Sequence, residues 1–349
     1  MTGDPVFCTN CKAIFNACSK IKEAQDSKVW TCEFCDTENN VNLEEEEIPK
    51  NEAVDYILEA FGKSLNNNSE ASSSEAMIIF CIDVSGSMCV TTEVDGKFKL
   101  KGQQEKLDKL SALNNERQQQ YLPNQKRNVT YVSRLECVQA AIDAQIQELS
   151  KNSPNVKVGI VTFNNDITII GDGTQQPAII TGDKLNNYEV LVETATSLQS
   201  KMTKPVKETA KSLSDKVFKL EEGGSTALGS GLLVSIGLAS KSPGSKVIIC
   251  TDGLANVGVG ALDADSQEAE LFYNRVSSYA SQAGVVVSIV SIKGDDCKLE
   301  YLGGVSDSTG GNVNVVDPIK LTSEFSTMLA DELVATHVKA SLLLHKGMY

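Results

Sequence analysis

Two sets of residues in this 349-residue chain have types and spacings that could do chemistry. The first is Cys8-x-x-Cys11, followed after twenty residues by Cys32-x-x-Cys35. Two such pairs each form a tight turn whose thiolates converge on one tetrahedral zinc. Four protein ligands leave no open coordination position, so this Zn2+ is expected to be structural. About forty residues bury too little core to fold alone, and metal binding supplies the missing folding energy. Trp30 is expected to pack over the two turns. Cys18 has no partner at the required spacing and reads as a packing or surface residue.

The second set is dispersed. The run MIIFCIDVSGSM (77–88) is apolar for six residues and then turns abruptly to Asp83, Ser85 and Ser87, spaced by two. Gly223-Gly224-Ser225-Thr226 opens a helical pattern, and Thr251-Asp252-Gly253 ends another apolar run. If the two runs are neighbouring parallel strands, their loops converge on one edge and the glycine-rich loop approaches beside them. That collects two carboxylates and three hydroxyls. All are hard oxygen donors suited to Mg2+ or a similar ion, and the glycines let backbone come close without side-chain collision.

Other chemistries find no support. The two histidines, His337 and His345, both lie near the C-terminal end, so a Ser-His-Asp triad or H-E-x-x-H site lacks its base or ligand. Ser85 is not in a G-x-S-x-G elbow. A phosphatase built on Asp83 would want a second acid two residues on, where Ser85 stands. No G-x-x-x-x-G-K-[ST] loop occurs. The net charge of −14 opposes nucleic-acid and anionic-membrane binding. No apolar run is long enough to span a bilayer, and MTGDPVFCTN has no signal-peptide pattern. Ten cysteines, several inside apolar runs, point to a reducing, cytoplasmic compartment. The Asn-x-Ser/Thr triplets at Asn67 and Asn128 are discounted for that reason.

The elements that must position these residues are legible. Strands are expected at 77–83, 156–163, 166–170, 246–251, 285–292 and 312–316. Their near-continuous Val/Ile content means burial on both faces, as in a parallel sheet covered by helices. TFNNDITII reads as a tight hairpin with Asn164-Asn165 at positive φ, which puts one antiparallel strand into the sheet. Ser133 and Glu136 form a capping box, and Leu135, Val138, Ile142, Ile146 and Leu149 repeat at helical spacing. Further helices are expected within 224–240, 267–284 and 321–335. Alternating strands and helices give a doubly wound α/β domain with a mostly parallel sheet, whose ligands sit at the carboxyl ends of the strands where strand order reverses. The chain then divides into a zinc ribbon (1–45), a linker (46–75) with a helix or strand at 53–61, an acidic run at Glu44–Glu47 spanning the junction of the two, and the α/β domain (76–336). The tail (337–349) reads as the start of a following domain.

The ordered set D-x-S-G-S-M, G-G-S-T-A-L-G and T-D-G-x-x-N-x-G is similar to the von Willebrand factor A domain, over 76–88 and 133–335. The resemblance implies a Rossmann-like fold with a metal-ion-dependent adhesion site at Asp83, Ser85, Ser87, Thr226 and Asp252, holding Mg2+ (or Mn2+ or Ca2+). Ser85, Ser87 and Thr226 would touch the metal as neutral hydroxyls, with Asp83 and Asp252 acting directly or through water. The remaining position would take a carboxylate from a protein partner, which is adhesion and not catalysis. A C-x-x-C…W-x-C-x-x-C ribbon directly before such a domain resembles the inner-shell subunits of the COPII vesicle coat. It also resembles the modules that accompany the rearranged GTPase of circularly permuted Ras proteins. Coat subunits generally carry a degraded metal site, so the intact residues here favour the permuted Ras group. The implied function is a metal-dependent interaction module of a larger cytosolic protein, tied to Ras-related GTPase signalling. The alternative is a vesicle-trafficking scaffold in which the metal is incidental.

One segment departs from the family pattern. Residues 89–132 form an insertion with eight Lys/Arg against five Asp/Glu, locally basic in an acidic chain. It reads as a surface loop, or as a partner-specific arm over the metal with a short helix in its middle. Cys81 and Cys250 are expected in the core, Cys89 beside the metal loop, Cys137 on the first helix and Cys297 in a loop.

Overall fold

The computed structural model describes residues 5–24, 27–44, 47–50, 76–96, 129–202, 204–262, 266–293 and 299–330. The 53–61 element, the stretch 66–75, most of the insertion with its helix, Asn67, Asn128, Cys297, both histidines and the tail 337–349 lie outside these residues. The chain separates into two compact units, with the described residues up to 50 in one and those from 76 in the other.

The small unit is a three-stranded antiparallel sheet of β1 (Ile21–Ala24), β2 (Ser27–Thr31) and β3 (Glu38–Val41), in that order. Its core is small: Cys8, Ala13, Phe15, Trp30, Cys32, Val41 and Leu43. Trp30 is fully buried, meets Phe15 edge-on at 5.3 Å, and donates its indole N–H to the Glu33 carboxylate.

The large unit is built on a seven-stranded sheet in the order β12-β11-β10-β4-β7-β8-β9. These strands are β4 (Met77–Asp83), β7 (Lys157–Phe163), β8 (Ile167–Gly171), β9 (Ala178–Ile180), β10 (Lys246–Thr251), β11 (Val286–Ile292) and β12 (Val313–Val316). Pairing is parallel from β12 to β7 and antiparallel at β7–β8 and β8–β9. Only β8 therefore runs against the rest. Helices cover both faces. Along β4, Ile78, Phe80 and Ile82 face α1 (Arg134–Asn152), α3 (Val206–Val217) and α7 (Leu321–Ala330), where Phe80 meets Phe325 edge-on at 5.9 Å. Ile79 and Cys81 face α2 (Tyr188–Ser197), α4 (Leu228–Ala239), α5 (Ser266–Ala283) and α6 (Leu299–Thr309). This two-residue alternation is why the central strands read as unbroken apolar runs. From β4 the chain crosses to β7 on one side and later returns to β10 on the other. The strand order reverses between β4 and β10, where α/β sheets place their ligands.

Three expectations need correction. First, neither Asn164 nor Asn165 has positive φ; among the described residues the non-glycine cases are Lys12 and Asp36. Phe163 pairs with Ile167, so the hairpin has three connecting residues, and the Asn164 amide donates to the Asp166 carbonyl. The longer connection needs no left-handed residue, and both Asn side chains grip the neighbouring glycine loop instead. Second, the helix expected from 224 starts at Leu228, because residues 223–227 form that gripped loop. Third, the described ends of the insertion are not loop. β5 (Thr91–Asp95) and β6 (Val129–Ser133) pair as an antiparallel ribbon, with Thr91 opposite Ser133. The edge strand β9 went unread because it has only three residues, and helices α2, α3 and α6 because polar and charged residues break up their apolar stripes.

Candidate metal centres

In the small unit each cysteine pair forms the same turn. The Lys12 amide donates to the Cys8 carbonyl and the Asp36 amide to the Cys32 carbonyl. Cys8 and Cys32 amides donate back to Ala13 and Thr37 carbonyls. The positive-φ residues, Lys12 and Asp36, directly follow the second cysteine of each pair. The four sulfurs lie within 4.8 Å of one another, with Cys8–Cys35 and Cys11–Cys32 both at 3.5 Å. Tetrahedral zinc with Zn–S of about 2.3 Å needs sulfurs about 3.8 Å apart, so the cluster fits structural Zn2+. Cys18 is exposed and outside the cluster. The Thr37 hydroxyl lies 3.2 Å from the Cys35 sulfur, and that contact with the Thr37 amide holds the Cys35 thiol down, at about 6. Asn39, only 4% exposed, joins the two turns. Its Oδ1 accepts from the Thr9 amide and hydroxyl, and its Nδ2 donates to the Cys8 sulfur and the Thr37 carbonyl. Such contacts orient ligands; an asparagine following W-x-C-x-x-C belongs to the ribbon motif, but the sequence does not show that Asn39, and not exposed Asn40, turns inward to the sulfurs.

In the large unit the loops after β4 and β10 meet at the switch point. The register that sets Ile82 beside Cys250 brings Asp83 level with Thr251. Asp83 Oδ2 accepts from the Thr251 hydroxyl at 2.6 Å, and Oδ1 accepts from the Ser85 amide at 2.8 Å. The Ser85 and Ser87 hydroxyls are 3.1 Å apart, and the Ser87 hydroxyl donates to Asp252 Oδ1 at 2.6 Å. Asp83, Ser85 and Asp252 are buried, while Ser87 is half-buried. Burial pushes the Asp83 carboxyl up to about 6 against its hydrogen bonds, and the Asp252 charge adds to the rise.

The glycine loop is fastened to this cluster from three sides. The Gly223 amide donates to the Val84 carbonyl and the Gly86 amide to the Gly224 carbonyl. Gly224 has φ +85°, and a Cβ there would come 2.8 Å from the Asn165 side chain. Asn165 Oδ1 accepts from the Ser225 amide, and Asn164 Nδ2 donates to the Gly223 carbonyl. Thr226 and Asn256 exchange two bonds, Thr226 N–H to Asn256 Oδ1 and Asn256 N–H to the Thr226 carbonyl. The fold thus gathers all three loops. Asp83, Ser85, Ser87 and Asp252 share one chain of hydrogen bonds, and the Thr226 hydroxyl stands outside it. Adjacent octahedral ligands at about 2.1 Å from Mg2+ are about 3.0 Å apart. The Ser85–Ser87 spacing therefore fits a divalent cation, as does the all-oxygen donor set.

Sequence reasoning missed one charged residue. Arg134 Nη1 lies 2.6 Å from Asp252 Oδ2, with the two side chains 11% and 0% exposed, and Nη2 reaches the Lys293 carbonyl at 3.5 Å. A signal existed. Arg134 is the first residue of α1, where the helix dipole disfavours a cation, so its position asks for an acid outside the helix.

Family models match both units: the Sec23/Sec24 zinc finger over residues 5–44 and the Sec23/Sec24 trunk domain over residues 128–335. The chain belongs to the Sec23/Sec24 trunk-domain family. The trunk match begins after the Asp83–Ser87 turn, so that turn stands on geometry alone. The Sec23/Sec24-type chain is 36% identical over 358 residues to "Circularly permutated Ras protein 1" of Dictyostelium discoideum, covering 99% of this chain and 40% of the relative. It spans about two-fifths of that relative's length. The human COPII-coat protein Sec24c superposes at TM-score 0.51 with 14% identity, over 90% of this chain and 40% of its own. A von Willebrand factor type A structure from Catenulispora acidiphila aligns over 73% of this chain and 42% of its own, at 15% identity and TM-score 0.42. The architecture is a zinc ribbon with a von Willebrand factor A-type domain, as the sequence motifs imply. Among the described residues no helix is long and apolar enough to cross a membrane.

Proposed function

We propose that this chain is a non-enzymatic protein-docking module in which a zinc ribbon (1–45) accompanies an A-type domain (76–336) that binds an acidic group of a protein partner through a divalent cation. A cation held there supplies an electrophilic position able to accept a carboxylate. Ser85, Ser87 and Thr226 would hold it as neutral oxygen donors, leaving its charge poorly neutralised. Asp83 and Asp252 stand behind them, and the Thr251 hydroxyl and Ser85 amide keep Asp83 oriented. The observation that carries this reading is the convergence of Ser85, Ser87 and Asp252 within 3.1 Å and 2.6 Å contacts at the switch point. The net charge of −14 supports a protein rather than a nucleic-acid partner. Family membership and cysteine usage support a cytoplasmic location, and the relative named for circularly permutated Ras supports work beside a Ras-type GTPase.

A coat-type scaffold with an incidental metal is the second reading, favoured by the family itself and by an arginine already seated on Asp252. Calorimetric titration of Mg2+ into the zinc-loaded chain, with Ser87→Ala as control, separates the two. Saturable one-to-one binding lost in the variant, with partner capture that requires Mg2+, supports docking through metal. Capture that is indifferent to Mg2+ favours the scaffold.

A further inference from the structure

We infer that Arg134 is a built-in rival of the divalent cation, so that the site alternates between an arginine-closed and a cation-loaded state. The inference rests on the metal-binding reading above. Its basis is how completely Asp252 is satisfied by its own chain. Ser87 donates to Oδ1 and Arg134 to Oδ2, each at 2.6 Å, and the carboxylate is wholly buried. With Arg134 in place Asp252 already faces a positive charge. A cation entering beside Ser87 then meets both a reduced negative field and a guanidinium a few bonds away.

The placement of Arg134 serves no purpose of its own helix. The Ser133–Glu136 capping box already satisfies the helix start, and an arginine at the first position opposes the dipole. What the position does provide is linkage. The Arg134 amide donates to the Val90 carbonyl, and the Val90 amide donates to the Ser87 carbonyl. The guanidinium on Asp252 and the Ser87 hydroxyl are therefore tied to one backbone junction, the base of the β5–β6 ribbon. Apart from Asp252, the guanidinium is held by a long contact to the carbonyl of exposed Lys293. It can leave toward solvent without disturbing the core.

The test uses the zinc-loaded chain and Mn2+ as probe, read by calorimetry and by electron paramagnetic resonance. Arg134→Gln keeps a polar side chain without charge, and Arg134→Lys keeps the charge. Arg134→Gln is expected to bind Mn2+ on the order of ten- to a hundredfold more tightly than wild type, the scale on which one neighbouring charge shifts an ionic equilibrium. Arg134→Lys should stay near wild type, and Ser87→Ala should lose binding. Binding in Arg134→Gln with none detectable in wild type supports the inference equally. Equal or weaker binding in Arg134→Gln, with wild type binding and Ser87→Ala silent, overturns the inference and leaves the metal reading intact. No binding in either overturns both. A second measurement needs no variant: Mn2+ should raise the reactivity of Arg134 toward a dicarbonyl reagent severalfold in wild type, and unchanged reactivity at saturating Mn2+ overturns the exchange.

Discussion

Replacing Asp252 by Asn tests the electrostatic description of the switch point most directly. Asn keeps an oxygen for the Ser87 hydroxyl but leaves the Arg134 guanidinium without a counter-charge. Removing one partner of a buried ion pair costs about 3–5 kcal/mol, mostly because the other charge stays desolvated. Arg134 is 11% exposed and can recover some hydration, which argues for the lower end, about 3 kcal/mol. In a domain of this size that lowers Tm by roughly 6–12 °C. Arg134→Gln strands Asp252 and should cost about as much. The double variant strands neither, so it should cost less than either single variant and fall short of the sum of the singles, about 6 kcal/mol, by more than about 3 kcal/mol. The assay is urea unfolding of the zinc-loaded chain with no other divalent ion, since a strong chelator would strip the ribbon as well. Far-ultraviolet circular dichroism follows mainly the large unit, while the single tryptophan, Trp30, reports on the small one. Asp252→Asn within 1 kcal/mol of wild type, or a double variant equal to the sum of the singles, would refute the claim that this pair is desolvated and coupled.

Three further outcomes are expected. Cys32→Ser should lower zinc content from about one per chain and shift Trp30 emission to the red, since the ribbon's core is too small to fold without its metal; unchanged emission with zinc lost would contradict this. Asp83 has its carboxyl raised from 3.8 to about 6, so the fold favours the protonated form. That contribution is complete below 3.8 and lost as pH rises through about 6, on the order of 3 kcal/mol across the window. Urea midpoints without Mg2+ should therefore fall with rising pH more steeply in wild type than in Asp83→Asn, and parallel profiles would be the contrary result. Gly224→Ala forces a side chain to φ +85° against Asn165 and should cost about 1–2 kcal/mol while weakening Mn2+ binding, whereas Gly223→Ala, with open space around its Cβ, should be near neutral in urea unfolding; equal effects would refute the strain argument.

The residues that carry chemistry were legible where chemistry is local. Two C-x-x-C pairs report a zinc turn because ligands three apart close the same turn in any surroundings, and Lys12 and Asp36 show how closely the two turns repeat. Buried strands were legible because a sheet covered on both faces demands unbroken apolar runs, and the motif order carried the A-type fold from the chain alone. What only the tertiary structure decided is who meets whom across long separations. Arg134 and Asp252 lie 118 residues apart; a cation at a helix start asks for an acid outside the helix, but nothing in the sequence names Asp252 as that acid. Asn164 and Asn165 read as turn formers and Asn256 only as a motif position, yet their side-chain amides hold the glycine loop beside the cluster. Local spacing sets backbone turns and faces. The pairing of buried charges is set by strand order, because only the reversal between β4 and β10 brings an arginine at a helix start against an acid at a distant strand end.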